Sequence, residues 1–172
     1  PSFPPRRSSD LWGQHRLSLE QSIDKAADLG FEGVELMGKR PHFSPLDFSL
    51  EQCKGLRDQI ESRNLAVSAL AAYTNFTGGG ESPEVPFANM QVGYVEQLAE
   101  RAQLLGCDLI RTFLAYERDD QSFAPHWLTT VESILTFYHS AAPLPVSLDL
   151  PPPPYIAVPP PSIVVLLDHI RL

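Results

Sequence analysis

The feature that most restricts the fold is a unit that occurs twice. Ser18-Leu19-Glu20-Gln21 returns 31 positions later as Ser49-Leu50-Glu51-Gln52. Each is a capping box, in which the serine side chain accepts from the backbone three residues on and the glutamine reaches back to the serine N–H. After the first box, Leu19, Ile23, Ala26 and Ala27 fall on one helical face; after the second, Leu50, Cys53, Leu56 and Ile60 do. Gly30 and Asn64, which tolerate the left-handed conformation, stand where the two helices end. An apolar strand follows each. A chain that alternates helix and strand in this way builds a parallel sheet.

The pattern continues downstream. Leu65 to Tyr73 reads LAVSALAAY, a near-continuous apolar run of the kind buried on both faces of a parallel sheet. A third helix is expected from about Asn89 to Leu105, with Val92, Val95, Leu98, Ala99, Ala102 and Leu105 as its stripe. Its end, Leu105-Gly106-Cys107-Asp108, echoes Leu29-Gly30-Phe31-Glu32. A fourth helix is expected from Pro125 to about Ser140, with Leu128, Val131, Ile134, Leu135 and Tyr138 inward. Parallel strands are expected near residues 33–37, 66–73, 109–114 and 146–150. Turns from helix to strand are short and loops from strand to helix are long, which makes the C-terminal ends of the strands the functional side. A doubly wound sheet is the rival, but no strand leads into G-x-G-x-x-G. Gly78-Gly79-Gly80 lacks the Lys-Ser/Thr of a phosphate loop and reads as a flexible lid.

Two ends of the chain depart from this order. Residues 1–11, PSFPPRRSSDL, hold three prolines and no period, and are set aside as a non-native or disordered tail. Any strand before Ser18 is accordingly expected to be short or missing. Residues 143–161 hold nine of the seventeen prolines, among them Pro151-Pro152-Pro153-Pro154, through which no regular element can run. The domain is therefore taken as 12–172, with 143–161 as its doubtful part.

Composition narrows the partners. A net charge of −8 and a pI near 5.0 argue against a general binder of nucleic acid or anionic membranes. No run approaches the ~18 apolar residues of a membrane span, and the start shows no secretory pattern. Cys53 and Cys107 lack metal-like spacing and read as buried free thiols, which points to a reducing cytoplasm.

Two charges stand inside strand patterns. Glu35 lies between Val34 and Leu36, and Arg111 between Ile110 and Thr112. If the flanking residues meet the helix layer, alternation turns Glu35 and Arg111 the other way, into the interior. An unpaired buried charge is costly, so each is either a working residue or half of a structural ion pair. His42 follows in the loop after Glu35, and could reach a site there or lie on the surface. Tyr73 and Asn75 end the third strand and could hydrogen-bond a ligand there, or in the case of Tyr73 simply pack. Glu117 reads as a loop charge, and His126, His139 and His169 as structural or exposed.

These residues carry a resemblance. GFEGVEL at 30–36, RNLAVSALAAYTNF at 63–76 and YVEQLAERAQLLGCDLIRTFLAYE at 94–117 closely resemble the sugar phosphate isomerase/epimerase group of the xylose isomerase-like TIM barrels. The match covers about 16–120, and 121–172 more loosely. It implies an α/β fold that is an incomplete (β/α)8 TIM barrel, roughly the first half, with outer helices. It implies an isomerase, epimerase or inosose dehydratase-like enzyme that moves a proton next to a carbonyl of a sugar, sugar phosphate or inositol-derived ketone. It also implies a divalent metal, Mn, Mg, Co or Zn, in intact relatives. Glu35 then becomes the catalytic candidate, and Arg111, Tyr73, Asn75 and His42 substrate-binding candidates. Metal ligands in the group lie at the fifth and later strands, and Pro151 stands where the first carboxylate or carboxamide is expected. No metal is therefore expected here, and the fragment as written is expected to be inactive. Open strand edges would favour self-association. A zinc DNA-repair endonuclease of the same superfamily is an alternative, disfavoured by Ala72-Tyr73-Thr74-Asn75 where that subgroup has a histidine. A non-catalytic sugar-binding module is the other.

Overall fold

A computed structural model of the chain describes residues 7–78, 85–113, 123–140 and 147–149. The elements run β1 (Ser8–Asp10), a 3-10 turn (Leu11–Gln14), α1 (Leu19–Asp28), β2 (Gly33–Met37), α2 (Leu50–Glu61), β3 (Ala66–Ala72), α3 (Phe87–Leu104), β4 (Leu109–Thr112), α4 (Phe123–Ser140) and β5 (Ser147–Asp149). The five strands form one sheet in chain order, and every neighbouring pair is parallel. This is the arrangement that helix–strand alternation requires.

The local signals act as read. Ser18 and Ser49 each accept from the glutamine N–H three residues on, at 3.1 and 3.2 Å, and each glutamine side chain accepts in return from the serine N–H. The chain leaves α1, α2 and α3 through Gly30, Asn64 and Gly106, with φ of 72°, 59° and 70°. A left-handed residue reverses the chain tightly enough to start the next strand within a few positions.

The core lies between sheet and helices. Val34, Leu36, Val67, Leu70, Ala72 and Ile110 pack there with Ile23, Ala26, Leu56, Ile60, Leu98 and Ala102. A register shift in β3 opposite Val34 and Glu35 leaves Ser68 as an extra residue. Val67 and Leu70 thus both face the helices, three positions apart, while Ser68 turns to the other face and its Oγ meets that of Ser8 at 2.5 Å.

Two expectations are corrected. The strand before Ser18 is short, as expected, but it lies in the stretch set aside as a tail: Ser8, Ser9 and Asp10 form β1 and pair with Gly33, Val34 and Glu35, and Leu11 is fully buried. Three residues are too few to show a period, and backbone pairing to β2 holds them in place. In α4, Leu128 and Tyr138 are exposed at 60% and 42%, and the buried face is Thr130, Ser133, Ile134 and Phe137. Ser133 can be buried because its hydroxyl donates to the Thr129 carbonyl at 2.7 Å. The proline run at 151–154 lies outside the described residues, and with it the expectation of a lost metal position and an inactive chain. Glu117 and His169 lie outside them too; His139 is exposed.

Both cysteines are free and buried. Burial pushes the Cys107 thiol up to about 11 and also raises Cys53. Among the described residues no helix is long and apolar enough to cross a membrane.

Two measurements check the packing. At Gly38 an added Cβ would stand 2.6 Å from the Ala71 carbonyl oxygen. Gly38→Ala should therefore cost about 1–3 kcal/mol in urea unfolding, as overpacking does. Gly55, inside α2 with nothing within 4 Å, should show the opposite sign, Gly55→Ala gaining up to about 1 kcal/mol. Native protein at pH 8 should leave both thiols unmodified by a disulfide reagent over a time in which unfolded chain reacts fully.

Candidate active site

The site follows from which way the strands turn their side chains. With Val34, Leu36 and Ile110 committed to the helix side, Glu35 and Arg111 face the other way. Asp10 pairs with Glu35 in register and shares its face. Arg111 sits further along its strand, level with Ala71 and with Asp149. From there its guanidinium reaches back. Nη2 donates to Glu35 Oε1 and approaches Asp10 Oδ2 at 3.4 Å. The Glu35 and Arg111 side chains are 17% and 23% exposed, and Asp10 is 46% exposed. Arg111 Nε is buried and has no partner among the described residues.

Asp10 is the member of this cluster that sequence reasoning missed, because it lies in the stretch set aside. Its signal was local: Oδ1 accepts from the Trp12 N–H at 2.8 Å and caps the turn Leu11–Gln14. An aspartate two residues before Trp-Gly is a turn former, and the strand that ends on it brings the other carboxylate oxygen to Arg111.

Above the charges lies an aromatic layer. The Tyr73 and Phe113 rings are 5.5 Å apart and tilted, and the Arg111 guanidinium stands 5.9 Å from the Phe113 centroid. Lys39 Nζ lies 3.7 Å over the Tyr73 ring. Burial, reinforced by the Asp10 carboxylate, pushes the Tyr73 phenol well above its ordinary range. Tyr94, on α3, donates its hydroxyl to the Gly38 carbonyl, and burial pushes its phenol up to about 12. That bond fixes the end of β2 and hence the position of Lys39.

Of the sequence candidates, Glu35, Arg111 and Tyr73 come together. His42 does not join them: it is 3% exposed, and its Nε2 lies 3.0 Å from the Leu17 carbonyl oxygen. It is neither a mouth residue nor a surface one, because the loop after β2 folds over it. Asn75 turns its Oδ1 back to the N–H and hydroxyl of Thr77, at 3.3 and 3.2 Å, and so shapes its own loop.

Residues 23–144 match a family model described as xylose isomerase-like TIM barrel. The chain belongs to this family. Similar solved structures are those of the probable 3-DHS dehydratase AsbF of Bacillus anthracis (19% identity, TM-score 0.70, covering 96% of this chain and 59% of that one) and of the D-psicose 3-epimerase of Clostridium cellulolyticum H10 with D-tagatose (18%, 0.70, 95% and 59%). A xylose isomerase domain protein of Salmonella typhimurium LT2 is similar too (19%, 0.69, 99% and 59%). At these identities the likeness is one of fold, and the chain spans about three fifths of the length of those proteins. No curated protein sequence matches the chain. As a xylose isomerase-like barrel, the chain carries its charged cluster at the C-terminal ends of the strands, where such folds place their chemistry.

The described residues do not fit a divalent metal. Among the described residues no three His, Cys, Asp or Glu side chains converge, and the two carboxylates that do face one another have the Arg111 guanidinium between them.

Arg111 therefore holds two carboxylates on one interior face. Arg111→Met keeps much of the side chain's bulk but leaves both without their shared partner. It should lower stability by about 1–3 kcal/mol, less than for a fully buried pair because Asp10 is half-exposed. Urea unfolding measures this directly; an unchanged midpoint would show that the ion pair contributes nothing.

Proposed function

We propose that this chain belongs to an enzyme that isomerises, epimerises or dehydrates a sugar or an inositol-derived ketone by moving a proton at the carbon next to the carbonyl. One observation carries the reading: Glu35 and Asp10 are fixed by Arg111 on the interior face at the C-terminal ends of the strands. A carboxylate held in this way can take a proton from carbon and return it. The fixed geometry removes the entropy of orienting it. Arg111 keeps the guanidinium charge near where an ene-diolate oxygen would develop negative charge. The Tyr73 phenol, which stays protonated far above neutral pH, can donate to a sugar oxygen.

Further support comes from what the similar structures are called: two are a dehydratase and an epimerase. The endonuclease alternative finds no support at the end of β3, where Tyr73 stands in the sheet's aromatic layer.

The test is proton exchange. A full-length protein that carries these residues is incubated in D2O with D-fructose, D-psicose or an inosose, and loss of the proton next to the carbonyl is followed by NMR. Exchange should occur with at least one of them. Glu35→Gln should slow it by about 100-fold or more, the usual contribution of a positioned acid or base. Exchange at the parent rate in Glu35→Gln, or none in the parent protein, would refute the proposal.

A further inference from the structure

His42 is a buried titratable side chain that the proposed chemistry leaves unused. It is 3% exposed, and its Nε2 lies 3.0 Å from the carbonyl oxygen of Leu17, 25 residues away. A carbonyl oxygen only accepts, so the ring carries its proton on Nε2. Nδ1 is then the bare nitrogen of a neutral imidazole. It is buried and has no partner among the described residues. A second proton would make Nδ1 a donor without an acceptor in a buried place, which costs free energy. The ring either stays neutral and holds Leu17, or takes the proton and leaves.

The bond spans two connections. Leu17 belongs to the one from β1 to α1, and His42 to the one from β2 to α2. These two connections also supply the walls of a cavity of about 240 Å³: Trp12 and His15 from the first, and Lys39, Arg40 and Pro41 from the second, with Met37 at the end of β2. Each connection is tied within itself. The Leu17 N–H donates to the Gln14 carbonyl at 2.8 Å, and those of His42 and Phe43 donate to the Lys39 and Met37 carbonyls at 3.1 Å. Among the described residues, the His42 bond is the hydrogen bond that joins one connection to the other.

The charged groups on these elements offer an imidazolium no free partner. The first connection carries His15 and Arg16. The second carries Lys39, Arg40 and Asp47, and Arg40 and Asp47 bond to each other at 2.6 and 2.7 Å. The strands before them carry Asp10 and Glu35, both held by Arg111. The helices after them begin with Glu20, which is exposed to water, and Glu51, which pairs with Lys54 at 3.2 Å.

We propose that His42 is a proton-operated latch between the two connections: the neutral ring holds them together about the cavity, and protonation frees the loop after β2 and opens it. The open loop takes up the proton, so opening becomes easier as the pH falls. The latch does not depend on whether Glu35 moves a proton, and it stands apart from the proposed function.

Hydrogen exchange tests it on a full-length protein that carries these residues, with each rate divided by the intrinsic rate at that pH. From about pH 7.5 to about pH 5.5, across the ordinary range of histidine, protection of the Leu17, His42 and Phe43 amides should fall about tenfold, the scale of one lost hydrogen bond. Amides inside β3 and α3 should keep theirs, since a loop opens and the fold does not. His42→Gln, which donates but does not titrate, should stay protected at both pH values, and His42→Leu should be unprotected at both. His15→Asn should leave the fall unchanged. Nitrogen NMR of the His42 ring should show a proton on Nε2 alone at the higher pH, and a second proton where protection is lost. Protection indifferent to pH, a fall that survives in His42→Gln, a fall shared by β3 and α3, or a neutral ring protonated on Nδ1 would overturn the proposal.

Discussion

One guanidinium ties the sheet together across the chain. Arg111 bonds to Glu35, 76 residues away, and to Asp10, 101 residues away. Three strands of the sheet, β1, β2 and β4, are thereby joined on their interior face as well as through their backbones. On that face a lone charge would be costly. Each of the three is acceptable because the others are present. The rest of the structure supplies the conditions for this. Parallel pairing sets Asp10 beside Glu35, the apolar neighbours commit their own faces to the helices, and the irregularity in β3 puts small residues, Ala69 and Ala71, between β2 and β4 so that the arginine can cross.

The same arrangement explains why the chemistry gathers at one end. Helix-to-strand turns are short and are closed by single left-handed residues, Gly30, Asn64 and Gly106. The strand-to-helix connections are longer and carry Lys39, Tyr73 and the bond from Tyr94 to the Gly38 carbonyl. Gly38 allows close approach of β2 to the Ala71 carbonyl, which is what lets Lys39 turn over the Tyr73 ring.

Much of this could be read from the sequence, for identifiable reasons. Capping boxes are local, involve four consecutive residues and need no tertiary context, so α1 and α2 begin where Ser18 and Ser49 place them. The inward turn of Glu35 and Arg111 followed from strand alternation, a constraint equally local. What was not legible depends on partners far along the chain. β1 is three residues long and has no periodicity, and it is a strand only because β2 lies beside it; Asp10 was lost with it. The buried face of α4 is rotated from its apolar stripe: Thr130 and Ser133 lie inside, Ser133 with its hydroxyl donated to the Thr129 carbonyl. His42 and Asn75 sit near the right strand ends in sequence, but loop folding sends one under cover and closes the other on Thr77. Lys39 carries no sequence signal of its own, and its place over the Tyr73 ring is visible only in three dimensions.

The central claim is that Glu35 and Arg111 act as one unit. A double-mutant cycle tests it most directly: Glu35→Gln, Arg111→Met and the pair together, each measured by urea unfolding at neutral pH. A coupling energy of about 1–3 kcal/mol, with the double variant more stable than the sum of the single changes predicts, is the expected result. Additive effects, with coupling near zero, would contradict the account.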